Sequence, residues 1–181
     1  MDIKSKALLF ATKAHKAIEH KRKYTNEDYI VHPVEVADTV ATVGGSDDMI
    51  AAAYLHDVVE DTGISLETIR QEFGINIMNL VSDLTDVGQL SDGPREARKA
   101  LDLKHSALAS PEAKTIKLAD LIANTKSIVK HDPKFAKIYL AEKEALIKVL
   151  VDGNKTLHQQ ASKLLQESLN IIYSQNKPLS E

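Results

Sequence analysis

Residues 51–62 read AAAYLHDVVEDT. The run holds no glycine or proline, and its apolar residues do not alternate with polar ones, so it reads as a helix laid against a core. His56-Asp57 interrupts that apolar surface. An ionised aspartate in such surroundings is costly unless it is paired or bound to a cation. These twelve residues therefore predict a helical fold and mark a place in it where chemistry is concentrated.

Helical periodicity continues on both sides. Residues 3–20 put Ala7, Leu8, Ala11, Ala14 and Ile18 on one side. Pro33 opens a second helix in its first turn, where a missing N–H costs nothing, and Gly44-Gly45 stops it. Asp47 or Asp48 caps a third helix running through Leu55, and Thr62-Gly63 breaks the pattern. Ser65 caps a short fourth helix ending at Phe73-Gly74, and a fifth carries Ile77, Leu80, Val81 and Leu84. Residues 86–94 (DVGQLSDGP) form a surface loop. Further helices are expected over 94–109, 111–130, 133–151 and 154–174, separated by Ser110-Pro111, Asp132-Pro133 and Gly153-Asn154. Strand signals are nearly absent. The expectation is one all-α domain over 1–181, a bundle of eight or nine helices.

Composition narrows the chemistry. Hydrophobic residues make up 43% and charged residues 27% of the chain, enough apolar material for a core. Aromatic residues are only 4%, with no Trp, which argues against a base-stacking nucleic-acid platform. A net charge of −3 argues against broad duplex binding, though not against a small anion held by a local cluster of Lys and Arg. Cysteine is absent, so disulfides and thiolate metal sites are excluded, and any metal must be held by His, Asp or Glu. No stretch reads as a signal peptide or a membrane span, so a cytoplasmic protein is expected.

Four residues stand out as a set: His32, His56, Asp57 and Asp120, the last within the apolar run IKLADLIANT. Each alone has an ordinary reading, and H-D recurs as His131-Asp132. Together, two imidazoles and two carboxylates suit Mn, Fe, Co or Zn, and leave coordination positions for water and a phosphate oxygen. Glu60 and Asp61 follow one turn after Asp57, near a metal-bound water without being needed as ligands. Read instead as a helix-end fringe they would oppose the macrodipole. Arg22, Lys23, Arg95 and Arg98 are basic candidates for phosphate contacts. Lys117, Asp120 and Asn124, at spacings of three and four, share one helix face.

The order of AHKAIEHKRK, DYIVHPVEVA, AAAYLHDVVEDTGISLETIRQEFG, LVSDLTD, REARK and IKLADLIANT resembles the histidine–aspartate (HD) hydrolases of the RelA/SpoT type, and most of all the small single-domain alarmone hydrolases. The similarity runs from about Ala7 to Asn124, and more weakly to about Val151. It implies a helical HD fold and one divalent metal ion, usually manganese (Mn2+), on His32, His56, Asp57 and Asp120. It implies a catalytic acidic pair at Glu60 and Asp61. It places substrate contacts on Arg22, Lys23, Arg95, Arg98, Asn124 and Tyr139. The implied reaction removes the 3′-pyrophosphate of the guanosine nucleotides ppGpp and pppGpp, without synthesis. Asp28 stands where such proteins often carry Pro, and Leu121 where a basic residue is common. Two rival readings keep the residues and change the role. One is an HD phosphohydrolase acting on another nucleotide, such as an NADPH phosphatase; the other is a non-catalytic nucleotide-binding or antitoxin-like module. The partner expected is a small nucleotide, with no stable nucleic-acid binding and no membrane; homodimerisation is left open.

Overall fold

A computed structural model describes residues 1–174. Among them the fold is all-α: α1 (Ile3–Ala17), α2 (Val31–Thr42), α3 (Asp47–Leu55), α4 (Val58–Thr62), α5 (Leu66–Phe73), α6 (Ile75–Leu84), α7 (Arg95–Leu108), α8 (Pro111–His131), α9 (Pro133–Val149) and α10 (Lys155–Ser174). The expected bundle of eight or nine helices becomes ten segments once the one-turn α4 is separated from α3. Extended pairing among the described residues is a single bridge between Lys21 and Asp28. No described helix is long and apolar enough to cross a membrane. Residues 175–181 of the expected 1–181 domain lie outside the described residues.

Local chemistry sets the helix ends. The side chains of Asp2, Ser46, Ser65, Ser110 and Asp132 each accept a hydrogen bond from the backbone N–H three residues on, satisfying amides the helix itself leaves unpaired. Ser46, not Asp47 or Asp48, caps α3; the two aspartates occupy its first turn, where negative charge is favoured. Pro33 sits inside the first turn of α2, which begins at Val31. α1 stops at Ala17, earlier than the periodicity suggested, and leaves Ile18 exposed. Residues 86–94 form the expected loop, with a 3-10 turn at Leu90–Asp92.

The core explains where the site lies. α3 packs against α1, α2 and α6, and α8 packs against α2, α6, α9 and α10. α1 and α3 bury small side chains where the core closes around them: Ala7, Ala11, Ala51, Ala52 and Ala53 are fully buried. Small side chains let helix axes approach closely, which holds α3 rigidly at the centre of one half. α8 buries Ile116, Leu118, Ala119, Leu121 and Ile122, almost all round its middle, and occupies the centre of the other half. His56 and Asp57 sit at the end of α3, and Asp120 halfway along α8. Two well-buried helices therefore place three of the four candidate ligands from fixed backbone positions, and His32 comes from α2.

Candidate active site

The chain turns out of α3 at His56 and re-enters a helix at Val58, with Asp57 at φ −96° and ψ −3° between them. His56 itself keeps helical backbone angles, and the two adjacent side chains meet at one centre. His56 is 5% exposed, and its Nδ1 lies 2.7 Å from the Ala53 carbonyl. A carbonyl can only accept, so Nδ1 carries a proton, and Nε2 is the nitrogen turned inward, able to take either a proton or an ion. His32, 1% exposed, enters from the first turn of α2.

The four predicted ligands converge. His56 Nε2 lies 3.0 Å from Asp57 Oδ2 and 3.7 Å from Asp120 Oδ1; His32 Nε2 lies 3.0 Å from Asp120 Oδ1 and 3.7 Å from Asp57 Oδ2. Ligand bonds of about 2.1 Å place neighbouring donor atoms about 3.0–3.4 Å apart. The spacing therefore suits one small divalent ion. His56 Nε2 is buried without a hydrogen bond of acceptable geometry, an orphaned polar atom that a cation would satisfy. In the metal-free protein a proton stands in for that charge. Burial alone would lower the affinity of His56 for its proton, but Asp57 and Asp120 outweigh it and hold the imidazole well above its usual range. Burial alone would likewise push both carboxyls up; the imidazoles win and hold Asp57 at about 2 and Asp120 well below the ordinary carboxylate range. His32, His56, Asp57 and Asp120 could thus hold a divalent metal.

Asp57 is steadied from the solvent side by Tyr29, whose hydroxyl donates to Oδ2 at 2.5 Å. Burial and the Asp57 charge push the Tyr29 phenol far above its usual range, so it stays a donor. The centre forms one end of a cleft of about 290 Å³. Its lining includes Glu60, Asp86, Arg95, Lys99, Lys117, Asn124, Phe135, Tyr139 and Lys143. A larger groove of about 880 Å³ between α7 and α9 shares Asp86, Arg95, Lys99, Lys117 and Lys143 with it.

Electrostatics divide the cleft. Glu60 and Asp61 both lie near Asp57, and each resists ionisation. Partial loss of water, then the Asp86 carboxylate, push Glu60 up to about 7; partial loss of water, then Asp57, push Asp61 up to about 6. Glu60 accepts a short hydrogen bond from the Asp86 N–H. The Asp86 carboxylate pairs with Lys99 at 2.5 Å and Lys117 at 3.3 Å. Lys143 lies over the Tyr139 ring at 5.0 Å, and burial lowers the affinity of its amine for a proton. Asn124 donates to Asp120 Oδ1 at 2.7 Å, so it orients a ligand as well as lining the cleft.

The remaining predicted residues sit less centrally. Asp61 turns away from the cleft toward His20, 3.7 Å off. Arg22 lies over the Tyr29 ring and Lys23 over the Phe135 ring, at 5.8 and 5.6 Å, which puts both at the rim. Arg95 reaches the cleft but is clamped by Glu142 at 2.7 and 2.9 Å. Arg98 is absent from the lining, and its Nε is buried without a partner. A Cβ on Gly88 would stand 2.7 Å from the Arg98 carbonyl oxygen, so the loop packs tightly over that backbone. Sequence reasoning missed Tyr29, Asp86, Lys99 and Lys143. Lys99 had a signal: it follows Arg95 by four, the spacing that shares a helix face.

The same arrangement of helices recurs in known proteins. A solved structure described as a metazoan ortholog of SpoT that hydrolyzes ppGpp and plays a role in starvation responses superposes with a TM-score of 0.82. It covers 92% of this chain and 96% of its own, at 26% identity. The Xenopus tropicalis protein named guanosine-3′,5′-bis(diphosphate) 3′-pyrophosphohydrolase MESH1 is 35% identical over 127 residues, 69% of each chain. An Aquifex aeolicus protein named guanosine-3′,5′-bis(diphosphate) 3′-pyrophosphohydrolase is also 35% identical, over 68% of this chain but only 17% of its own length. The family model described as HD domain matches residues 7–147, a span that contains every residue lining the cleft and all four converging ligands. The chain belongs to the HD-domain family.

Proposed function

We propose that this chain is a metal-dependent phosphohydrolase that removes the 3′-pyrophosphate of ppGpp or pppGpp, giving GDP or GTP and pyrophosphate. The observation that carries the reading is the junction of a cation-ready centre with a cleft walled by Arg95, Lys99, Lys117 and Lys143. The similarity to the MESH1 relative across most of both chains supports the choice of nucleotide.

In this reading His32, His56, Asp57 and Asp120 hold one divalent ion, manganese by preference. The ion, when bound, supplies Lewis acidity toward a phosphate oxygen and a more acidic water. The chain's own groups do the rest. Glu60, held near neutrality, accepts a proton from the attacking water and can return it to the leaving ribose oxygen. Asp61 assists from the α4 side. Lys117, Lys99 and Lys143 offset the growing charge on the pyrophosphate, while Arg22, Lys23, Arg95, Asn124 and Tyr139 position the nucleoside and its 5′-phosphates. A phosphate entering the cleft would compete with Asp86 for Lys99 and Lys117. We further propose a cytoplasmic protein with no stable nucleic-acid partner; its single domain would extend over 1–181.

The deciding experiment is phosphorus NMR of ppGpp turnover with manganese and with chelator. Pyrophosphate as first product, abolished by chelator, is expected. Orthophosphate as the early product would move the chain to a phosphatase reading, tested with NADPH. Tight nucleotide binding with no turnover under any divalent ion would leave the non-catalytic module.

A further inference from the structure

On the other side of Tyr29 a second group of ligating atoms converges. It consists of His15 from the last turn of α1, His20 from the turn that follows, and Asp61 from α4. His15 Nδ1 and His20 Nδ1 are 3.2 Å apart, and His20 Nδ1 is 3.7 Å from Asp61 Oδ2. One ligating atom from each of the three lies within 4.8 Å of the others. Zn–N bonds of about 2.0–2.1 Å at the tetrahedral angle set donor atoms about 3.3 Å apart. The two nitrogens already stand at that separation.

The backbone is shaped to make this meeting. Glu19 adopts φ +53°, a left-handed conformation uncommon outside glycine. With it, the His20 N–H donates to the His15 carbonyl at 3.0 Å and the Tyr29 N–H to the His20 carbonyl at 3.2 Å. The chain is thereby folded back so that His20 faces α1. The Tyr29 ring stacks on His20 with centroids 3.8 Å apart and fixes the imidazole plane. A cavity of about 540 Å³, lined by His15, His20, Glu19 and Tyr29, gives access from solvent.

A purely structural role explains His15 poorly. It is 1% exposed, its Nε2 meets no partner, and its Nδ1 faces another imidazole with which it can share only one proton. Among the described residues no Lys or Arg pairs with Asp61, and the group that faces it is the His20 imidazole.

We infer that His15, His20 and Asp61 form a second divalent-cation site, separate from the H-D centre and suited to ions of the zinc class, with water completing the coordination. Two nitrogens and one oxygen favour zinc or cobalt over magnesium or calcium. Repulsion from an ion at the H-D centre makes this the weaker site. Occupancy also pins the Asp61 carboxylate in the orientation it already has toward His20, so that it cannot swing to the water at the H-D centre. That last consequence, unlike the site itself, rests on the hydrolase reading.

The test counts ions and needs no turnover. Chelator-stripped full-length protein is titrated with Co2+, followed by its visible absorption, and with Zn2+, counted by elemental analysis after equilibrium dialysis. Wild type is expected to bind two ions per chain, the second more weakly. His56→Ala should keep only the weaker one. His20→Gln, on an accessible turn, should keep only the tighter one with an unchanged circular dichroism spectrum; His15→Gln serves as a second variant. Saturation of wild type at one ion, or two ions on folded His20→Gln, overturns the site. With ppGpp, zinc beyond the first equivalent should slow wild type by about tenfold or more, the scale set by losing a water-orienting acid, and leave His20→Gln unaffected. An inactive protein that still binds two ions would defeat the hydrolase reading alone.

Discussion

The chain contains the dipeptide His-Asp twice, and both copies lie where one helix ends and another begins. His56-Asp57 joins α3 to α4; His131-Asp132 joins α8 to α9. At the second junction Asp132 caps α9, accepting from the Phe135 N–H at 3.1 Å and from the Tyr24 hydroxyl at 3.0 Å. His131 stacks beside Tyr24 in the open. At the first junction Asp57 caps nothing with its side chain. Its carboxylate is turned inward against His56, His32 and Tyr29. The two residues carry no chemistry by themselves. What separates the copies is burial and the arrival of a second imidazole and a second carboxylate from α2 and α8.

The sharpest way to break this contrast is to truncate both copies. His56→Ala or Asp57→Ala is expected to strip the metal from the H-D centre and lower kcat by at least about 10³-fold, because the ion and its water are lost together. His131→Ala should stay within a few-fold of wild type. Elemental analysis and ppGpp turnover on the same preparations check both. Metal retained at that centre in the His56 variant would show that the convergence of His32, His56, Asp57 and Asp120 is not a ligand set.

A finer test stays inside the first junction. Glu60→Gln should lower kcat by about 10²–10⁴-fold with the H-D metal content unchanged, as expected for a general base that is not a ligand. The acid form of Glu60 predominates below its pKa of about 7, and only the ionised form can accept the proton. A nearby dication draws that value down. Wild-type kcat should therefore fall on acidification with an inflection no higher than about pH 7, and the limb should change in Glu60→Gln. A profile identical in both proteins would remove Glu60 from proton transfer.

Next in size is the basic wall. Lys117→Ala is expected to raise KM and lower kcat/KM by roughly 10–100-fold, the range for a hydrogen bond to a charged group, while Arg98→Ala, outside the cleft lining, changes little. Equal losses in the two would mean that the cleft rearranges around its ligand. Smallest is Asp132→Ala, which loses a helix cap: a melting temperature lower by a few degrees with turnover intact. Lost turnover there would erase the distinction between the two junctions.

How much of this was legible depended on whether a feature is local. Helix starts at Ser65, Ser110 and Asp132 were readable because a cap and its helix are neighbours in sequence. The four candidate ligands were readable because polar groups in apolar runs demand compensation. The break at His56-Asp57 was not, since no glycine or proline announces it. Nor was Asp86, whose role comes from Glu60, Lys99 and Lys117 meeting across three helices. The resemblance implies Arg98 alongside Arg95, whereas the cleft lining holds Arg95 and Lys99, four residues apart on one helix face. Lys143 lies in a helix whose approach to α8 nothing nearby in the sequence specifies.

Asp86 is gripped at both ends, its N–H by Glu60 and its carboxylate by two lysines. Two residues on, Gly88 rests against the Arg98 backbone without room for a methyl group. The loop from Asp86 to Pro94 is thus anchored at its start and open from Gln89 onward. Insertions that would scramble the acid and its cations if placed at residues 86–88 can be absorbed at 89–93, beside the same cleft. Descendants of this chain can lengthen that tip, or a designer can graft onto it, and change what enters the groove while leaving the proton-transfer apparatus untouched.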